Sequence, residues 1–321
     1  MTIKKILTAL FMVTMVIGLL SGCGKKDKVY KIGINQLVRH GALDASYEGF
    51  VDALKEAGYI DGENIKIDYQ NAQNDQSTVN TIAIKLVNDG NDLILAIATP
   101  SAQAVANATK DIPILVTAVT DPAGSFLVES NDAPGGNVSG TSDLTPVRKQ
   151  FELLKQLVPE AKTVGILYSS SESNSKIQVE IAIEAAKEFD LEVIEATVSN
   201  TNEIEQVVQS LVGKVDAIYA PTDNTIASGM PTVAMVANPN GIPVICGEES
   251  MVKAGGLATY GIDYYKLGRL TGEQAVRIIK KEATTATMPI EYLSDEEYSL
   301  MINEEVAKQL GIEIPQELQG E

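Results

Sequence analysis

One series of strand-like and helix-like segments runs through this chain twice, and that doubling restricts the fold more than any other feature. In the first half, β-branched runs at 31–35, 65–70, 93–98 and 114–119 alternate with helical patterns that start near 45, 76 and 101. In the second half, runs at 164–168, 191–197, 217–220 and 244–246 alternate with helical patterns near 146–158, 175–189, 202–211 and 225–237. Each third strand opens with an aspartate, Asp92 or Asp216, and each fourth follows an Ile-Pro pair, Ile112-Pro113 or Ile242-Pro243. Strands alternating with helices imply a parallel sheet covered on both faces. At 321 residues the chain exceeds the usual size of one core, so two α/β lobes are expected.

Polar residues gather at one end of these strands, in Thr99-Pro100-Ser101, Thr120-Asp121-Pro122, the serine-rich loop 169–175 and Thr222-Asp223-Asn224. Open parallel sheets bind ligands just outside the carboxyl ends of their strands, where helix N-termini present N–H groups. Two such sheets facing each other enclose a cleft. Thr99 and Ser101 offer hydroxyls beside a helix N-terminus, which suits a carboxylate. Asp121, Asp223 and Asp263 offer carboxylates for an ammonium group, which needs a compensating charge once desolvated. Thr99, Asp121 and Asp223 are also ordinary helix caps, so a binding role and a capping role stand side by side for each. The set as a whole suits a small zwitterion, with Asp223 expected to hold the ammonium.

Other chemistries find little support. His40 is the sole histidine, so no two-histidine metal site can form, and no cofactor motif is present. Cys246 lies in an apolar strand and reads as a packed thiol. An enzyme would have to work with Asp121 and Asp223 as acid and base. With 25 basic against 43 acidic residues the chain offers no surface for a nucleic acid.

Lys4-Lys5 precede an apolar run at 6–20, which reads as an export signal and is short for a membrane span. Leu20-Ser21-Gly22-Cys23 resembles the bacterial lipobox, which implies cleavage before Cys23 and a lipid on its sulfur. Residues 1–22 are then the signal and 23–29 a lipidated tether.

Gln36 with 40–44, Tyr69-Gln70-Asn71-Ala72, Ala98-Thr99-Pro100, Thr120-Asp121-Pro122, Pro134-Gly135-Gly136-Asn137, Pro221-Thr222-Asp223-Asn224 and Gly261-Ile262-Asp263-Tyr264-Tyr265 together resemble the substrate-binding lipoproteins of the tryptophan/tyrosine-type ABC importers. The resemblance implies the type I periplasmic-binding fold, with two Rossmann-like lobes of parallel sheet joined by a three-stranded hinge. It assigns 30–143 with 264–291 to lobe one and 144–263 with 292–321 to lobe two, the hinge crossing near 143–146, 260–263 and 292–295. It implies an amino-acid ligand, with Phe, Tyr or Trp expected, no cofactor, a permease partner and a lipid anchor at the outer face of the bacterial cytoplasmic membrane. On the matching motifs it places Gln36, Leu43, Asp44, Thr120, Ser173, Asn174, Ser175, Thr222 and Asn224 around the ligand, beside Thr99, Ser101, Asp121, Asp223 and Asp263. A binding module that reports to a signalling receptor has the same sequence features.

Overall fold

The computed structural model describes residues 29–319, so the export signal and Cys23 lie outside the described residues. The first lobe is built from β1 (Tyr30–Gln36), α1 (Gly41–Glu56), β2 (Ile65–Asn71), α2 (Gln76–Asn88), β3 (Leu93–Ile97), α3 (Thr99–Ala108), β4 (Ile114–Val119) and β5 (Val138–Ser142). Its five strands are all parallel, in the order β2-β1-β3-β4-β5. β3 and β4 are buried along their whole length, as continuous apolar runs covered on both faces must be.

The second lobe comprises α4 (Val147–Leu157), β6 (Thr163–Ser169), α5 (Ser173–Glu188), β7 (Glu192–Val198), α6 (Ile204–Leu211), β8 (Ala217–Ala220), α7 (Asn224–Ser228), α8 (Met230–Ala237), β9 (Val244–Cys246), α9 (Glu249–Lys253) and β10 (Ala258–Gly261). The chain then contributes α10 (Tyr264–Ile279) to lobe one and returns with β11 (Ser299–Ile302) and α11 (Glu304–Leu310). The second sheet runs β11-β10-β9-β8-β6-β7. Each sheet carries its own apolar core.

The chain passes between the lobes after β5, after β10 and after Glu291, whose backbone pairs with Thr141. α10 packs on α1 so closely that a methyl group at Gly268 would lie 2.0 Å from the Ser46 carbonyl oxygen, and one at Gly49 equally close to that of Tyr265. Only glycine permits this backbone approach. It sets the start of α1, with His40, against the start of α10, with Tyr264.

Several elements depart from the sequence pattern. The second sheet is not wholly parallel, because β11 arrives from the third crossing and adds to β10 antiparallel. The helix expected over 225–237 breaks into α7 and α8 at Gly229, since Pro231 lacks the N–H that would continue the ladder. α1 begins at Gly41 and α3 at Thr99, each earlier than the apolar spacing implies. β5 went unforeseen, because Val-Ser-Gly-Thr-Ser has little strand character of its own. No described helix is long and apolar enough to cross a membrane.

Candidate functional site

Between the lobes lies a narrow cavity of about 10 Å³, lined by residues of both. Lobe one contributes His40, Leu43, Ala118, Thr120 and Tyr264, and Asp143 enters from the first crossing. Lobe two contributes Asn174, Thr222, Asp223, Asn224, Ala227 and Glu248. Ala118 reaches the cavity because the β4–β5 register slips between Val116 and Val119, where Ala118 takes a φ of 54°.

The lobes touch directly around it. Asn74 Nδ2 donates to Thr225 Oγ1 at 3.1 Å, Gln103 Nε2 to Ser173 Oγ at 3.3 Å and Gln178 Nε2 to Thr120 Oγ1 at 3.2 Å. Gln178 Nε2 also donates to Thr222 Oγ1, so one amide joins two hydroxyls that the sequence placed at equivalent strand ends.

Three carboxyl groups line the cavity and, among the described residues, no lysine or arginine does. Asp143 is 4 % exposed; its Oδ2 accepts from the Tyr264 hydroxyl at 2.7 Å, while its Oδ1 meets no partner. Burial pushes Asp143 up to about 6, against the opposing pull of the Tyr264 and Thr120 hydroxyls. Glu248 caps α9 by accepting from Ser250 N at 2.5 Å and Ser250 Oγ at 2.6 Å, and burial raises it to about 7. Asp223 is raised to about 7 by burial and then by the neighbouring Glu172.

Asp223, expected from the sequence to hold an ammonium, lies on the cavity lining and is also held from within lobe two. Its Oδ1 accepts from Ile226 N at 2.8 Å, capping α7, and its Oδ2 accepts from Ser169 N and Ser175 Oγ, both at 2.6 Å. Both oxygens are committed within lobe two. Of the three lining carboxyl groups, the oxygen without a partner is Asp143 Oδ1, on a residue that sequence reasoning missed.

Of the other residues singled out, Leu43, Thr120, Asn174, Thr222 and Asn224 line the cavity with Asp223. The remainder stand behind or beside it. Gln36 Nε2 donates to Asp44 Oδ1 at 2.8 Å, and Asp44 also pairs with Arg39. Thr99 and Ser101 are buried at the start of α3, Thr99 Oγ1 without a partner and Ser101 Oγ 3.5 Å from Asn35 Oδ1. Ser173 receives Gln103 from the opposite lobe, and Ser175 holds Asp223. Asp121 accepts from Asn131 Nδ2 at 3.1 Å and is not on the cavity lining, whereas Asp223 is. Asp263 caps α10 by accepting from Tyr265 N and Lys266 N. Besides Asp143, the sequence reading missed Glu248 and Tyr264, and it left His40 without a role. Glu248 and Asp143 both follow strands, so the strand-end argument reaches them once β5 is recognised.

The family model of ABC transporter substrate-binding proteins matches residues 31–321. A tyrosine-binding protein of Clostridioides difficile (strain R20291) is 48% identical over 324 residues, covering 97% of this chain and 93% of that protein. A Streptococcus pneumoniae ABC domain in complex with L-Trp is 46% identical, with a TM-score of 0.87 over 90% of this chain and 97% of that one. A ligand-free, open substrate-binding protein with adhesive properties from Clostridium difficile is 51% identical over the same shares, yet its TM-score is 0.68. The nearer relative in sequence is the more distant in shape, so the lobes of this chain sit together as in the ligand-bound relative.

Proposed function

This chain belongs to the family of ABC transporter substrate-binding proteins, and from that premise we propose that it closes its lobes on an aromatic L-amino acid and delivers it to a membrane importer. The observation that carries the ligand class is Asp143 Oδ1, a buried carboxylate oxygen with no partner in a cavity enclosed by both lobes. A cationic ligand group is what such an oxygen lacks, because an unpaired buried charge costs several kcal/mol. Leu43, in the first turn of α1, lies on the same cavity, and with Ala118 and Ala227 it supplies apolar surface for a ring.

The relatives' ligands, tyrosine by name and L-Trp in the complex, are amino acids of this kind. The motif ending in Cys23 supports a lipid anchor that keeps the lobes at the membrane beside the permease. Titration calorimetry against the common amino acids tests the ligand class. Binding is expected for Tyr, Trp or both, and no heat from Phe, Tyr or Trp contradicts it. Mass spectrometry of the exported protein checks the anchor, which an unmodified Cys23 contradicts.

A further inference from the structure

Glu172, 3 % exposed at the cap of α5, fixes a chain of hydrogen bonds that runs through the start of α7 to the cavity. Its Oε1 accepts from Thr225 N and Thr225 Oγ1, both at 2.9 Å, and its Oε2 from Asn224 Nδ2 at 2.6 Å. A carboxylate receiving so many donors is an acceptor only, so the Asn224 amide must turn its NH2 group toward Glu172. The Asn224 Oδ1 atom then points the other way, where it stands 3.2 Å from His40 Nε2. An amide oxygen accepts, so Nε2 carries the proton. Burial holds His40 down at about 4, against the opposing influence of Asn224 and Asp44, and the ring is therefore neutral at ordinary pH. In a neutral imidazole protonated at Nε2, Nδ1 is a bare acceptor. The Nδ1 atom of His40 is shut off from solvent and has no partner, although the residue as a whole is part-exposed.

Taking the proposed ligand class as given, we infer that His40 Nδ1 accepts a hydrogen bond from the ligand's side chain, making the site selective for Tyr or Trp over Phe. The phenol O–H and the indole N–H are donors, whereas a phenyl ring leaves the buried acceptor unpaired. Sites built to bond a side-chain polar group reject the analogue that lacks it far more strongly than they discriminate by size. The cavity has apolar surface from Leu43, Ala118 and Ala227, and His40 is placed with them on its lining.

The experiment compares dissociation constants for L-Phe and L-Tyr in the unaltered protein and in His40→Leu. The unaltered protein should bind Phe roughly 10- to 100-fold more weakly than Tyr. In His40→Leu the two should come within about threefold, mainly through weaker Tyr binding. Losing the His40–Asn224 contact across the lobes weakens every ligand alike and cancels in the ratio. A Phe/Tyr ratio that His40→Leu leaves unchanged overturns the inference. Because His40 is the sole histidine, ¹⁵N spectra of an untagged sample report its tautomer directly. An unprotonated Nδ1 that shifts on adding Tyr but not Phe is expected, and a protonated Nδ1 in the free protein also overturns the inference. Absence of binding by every aromatic amino acid would count against the ligand class, and the nitrogen spectrum would still decide the role of His40.

Discussion

Asp143→Asn is expected to weaken amino-acid binding by about 2–5 kcal/mol while leaving the melting temperature close to that of the unaltered protein. The carboxyl group is held in place by Tyr264, whose hydroxyl donates to Oδ2 from a helix that returns to lobe one 121 residues later in the chain. In the variant the amide oxygen takes over the Tyr264 bond and an NH2 group replaces the free oxygen. Two donors then face each other where the ligand ammonium enters. The fold loses little, because the substitution removes a charge that burial already disfavours. Calorimetry and thermal melting of the same samples separate the two effects, and unchanged affinity contradicts the role of Asp143. The charged carboxylate is the form that pairs with an ammonium, and its pKa lies raised at about 6. Affinity is therefore full well above pH 6 and declines as pH falls through that value and the carboxyl takes up a proton. Asp223 and Glu248, raised to about 7, add a slope of the same sign, so Asp143→Asn should show a shallower decline between pH 7 and 5.

Asp223→Ala is expected to cost about 2–4 kcal/mol of folding stability, more than it costs in binding. Losing the cap of α7 accounts for about 1 kcal/mol. The buried Ser169 N–H and the Ser175 hydroxyl also lose their acceptor, and an unsatisfied buried donor costs about 1–3 kcal/mol. These bonds tie the end of β6 and the first turn of α5 to the start of α7, three elements at the carboxyl edge of the second sheet. Chemical denaturation monitored by circular dichroism measures the loss. A variant as stable as the parent but unable to bind would restore Asp223 as the ammonium partner and contradict this account.

The layered α/β plan was legible because each lobe repeats short buried strands whose apolar runs leave little choice of environment. Ile114–Val119 and Ala217–Ala220 were readable to the residue for that reason. β5 was not, because its pairing with β4, rather than its own Val-Ser-Gly-Thr-Ser sequence, makes it a strand. The same gap hid Asp143, which gains its position only from β5 and the first crossing. The strand-end argument found Thr120, Thr222, Asp223 and Asn224 on the cavity, but it cannot tell an aspartate that faces a ligand from one whose oxygens are already occupied. Both Asp223 oxygens accept from Ser169, Ser175 and Ile226 while one Asp143 oxygen has no partner, and no pattern along the chain connects those residues. Gln36, Thr99, Ser101 and Asp263 were placed in the right loops and helix starts, yet their side chains support the walls.

One ligand held by both its charges in the cavity that both lobes line, its ammonium on Asp143, keeps the lobes together. A ligand shifts an equilibrium only by its difference in affinity for the two states, so a molecule lacking either charge should stabilise closure poorly. Small-angle X-ray scattering of the protein with L-tyrosine, with tyramine and with 3-(4-hydroxyphenyl)propionate tests this most directly. A smaller radius of gyration is expected with L-tyrosine and little change with either of the other two. Equal compaction by tyramine or by the acid, or none with any aromatic amino acid, would contradict it.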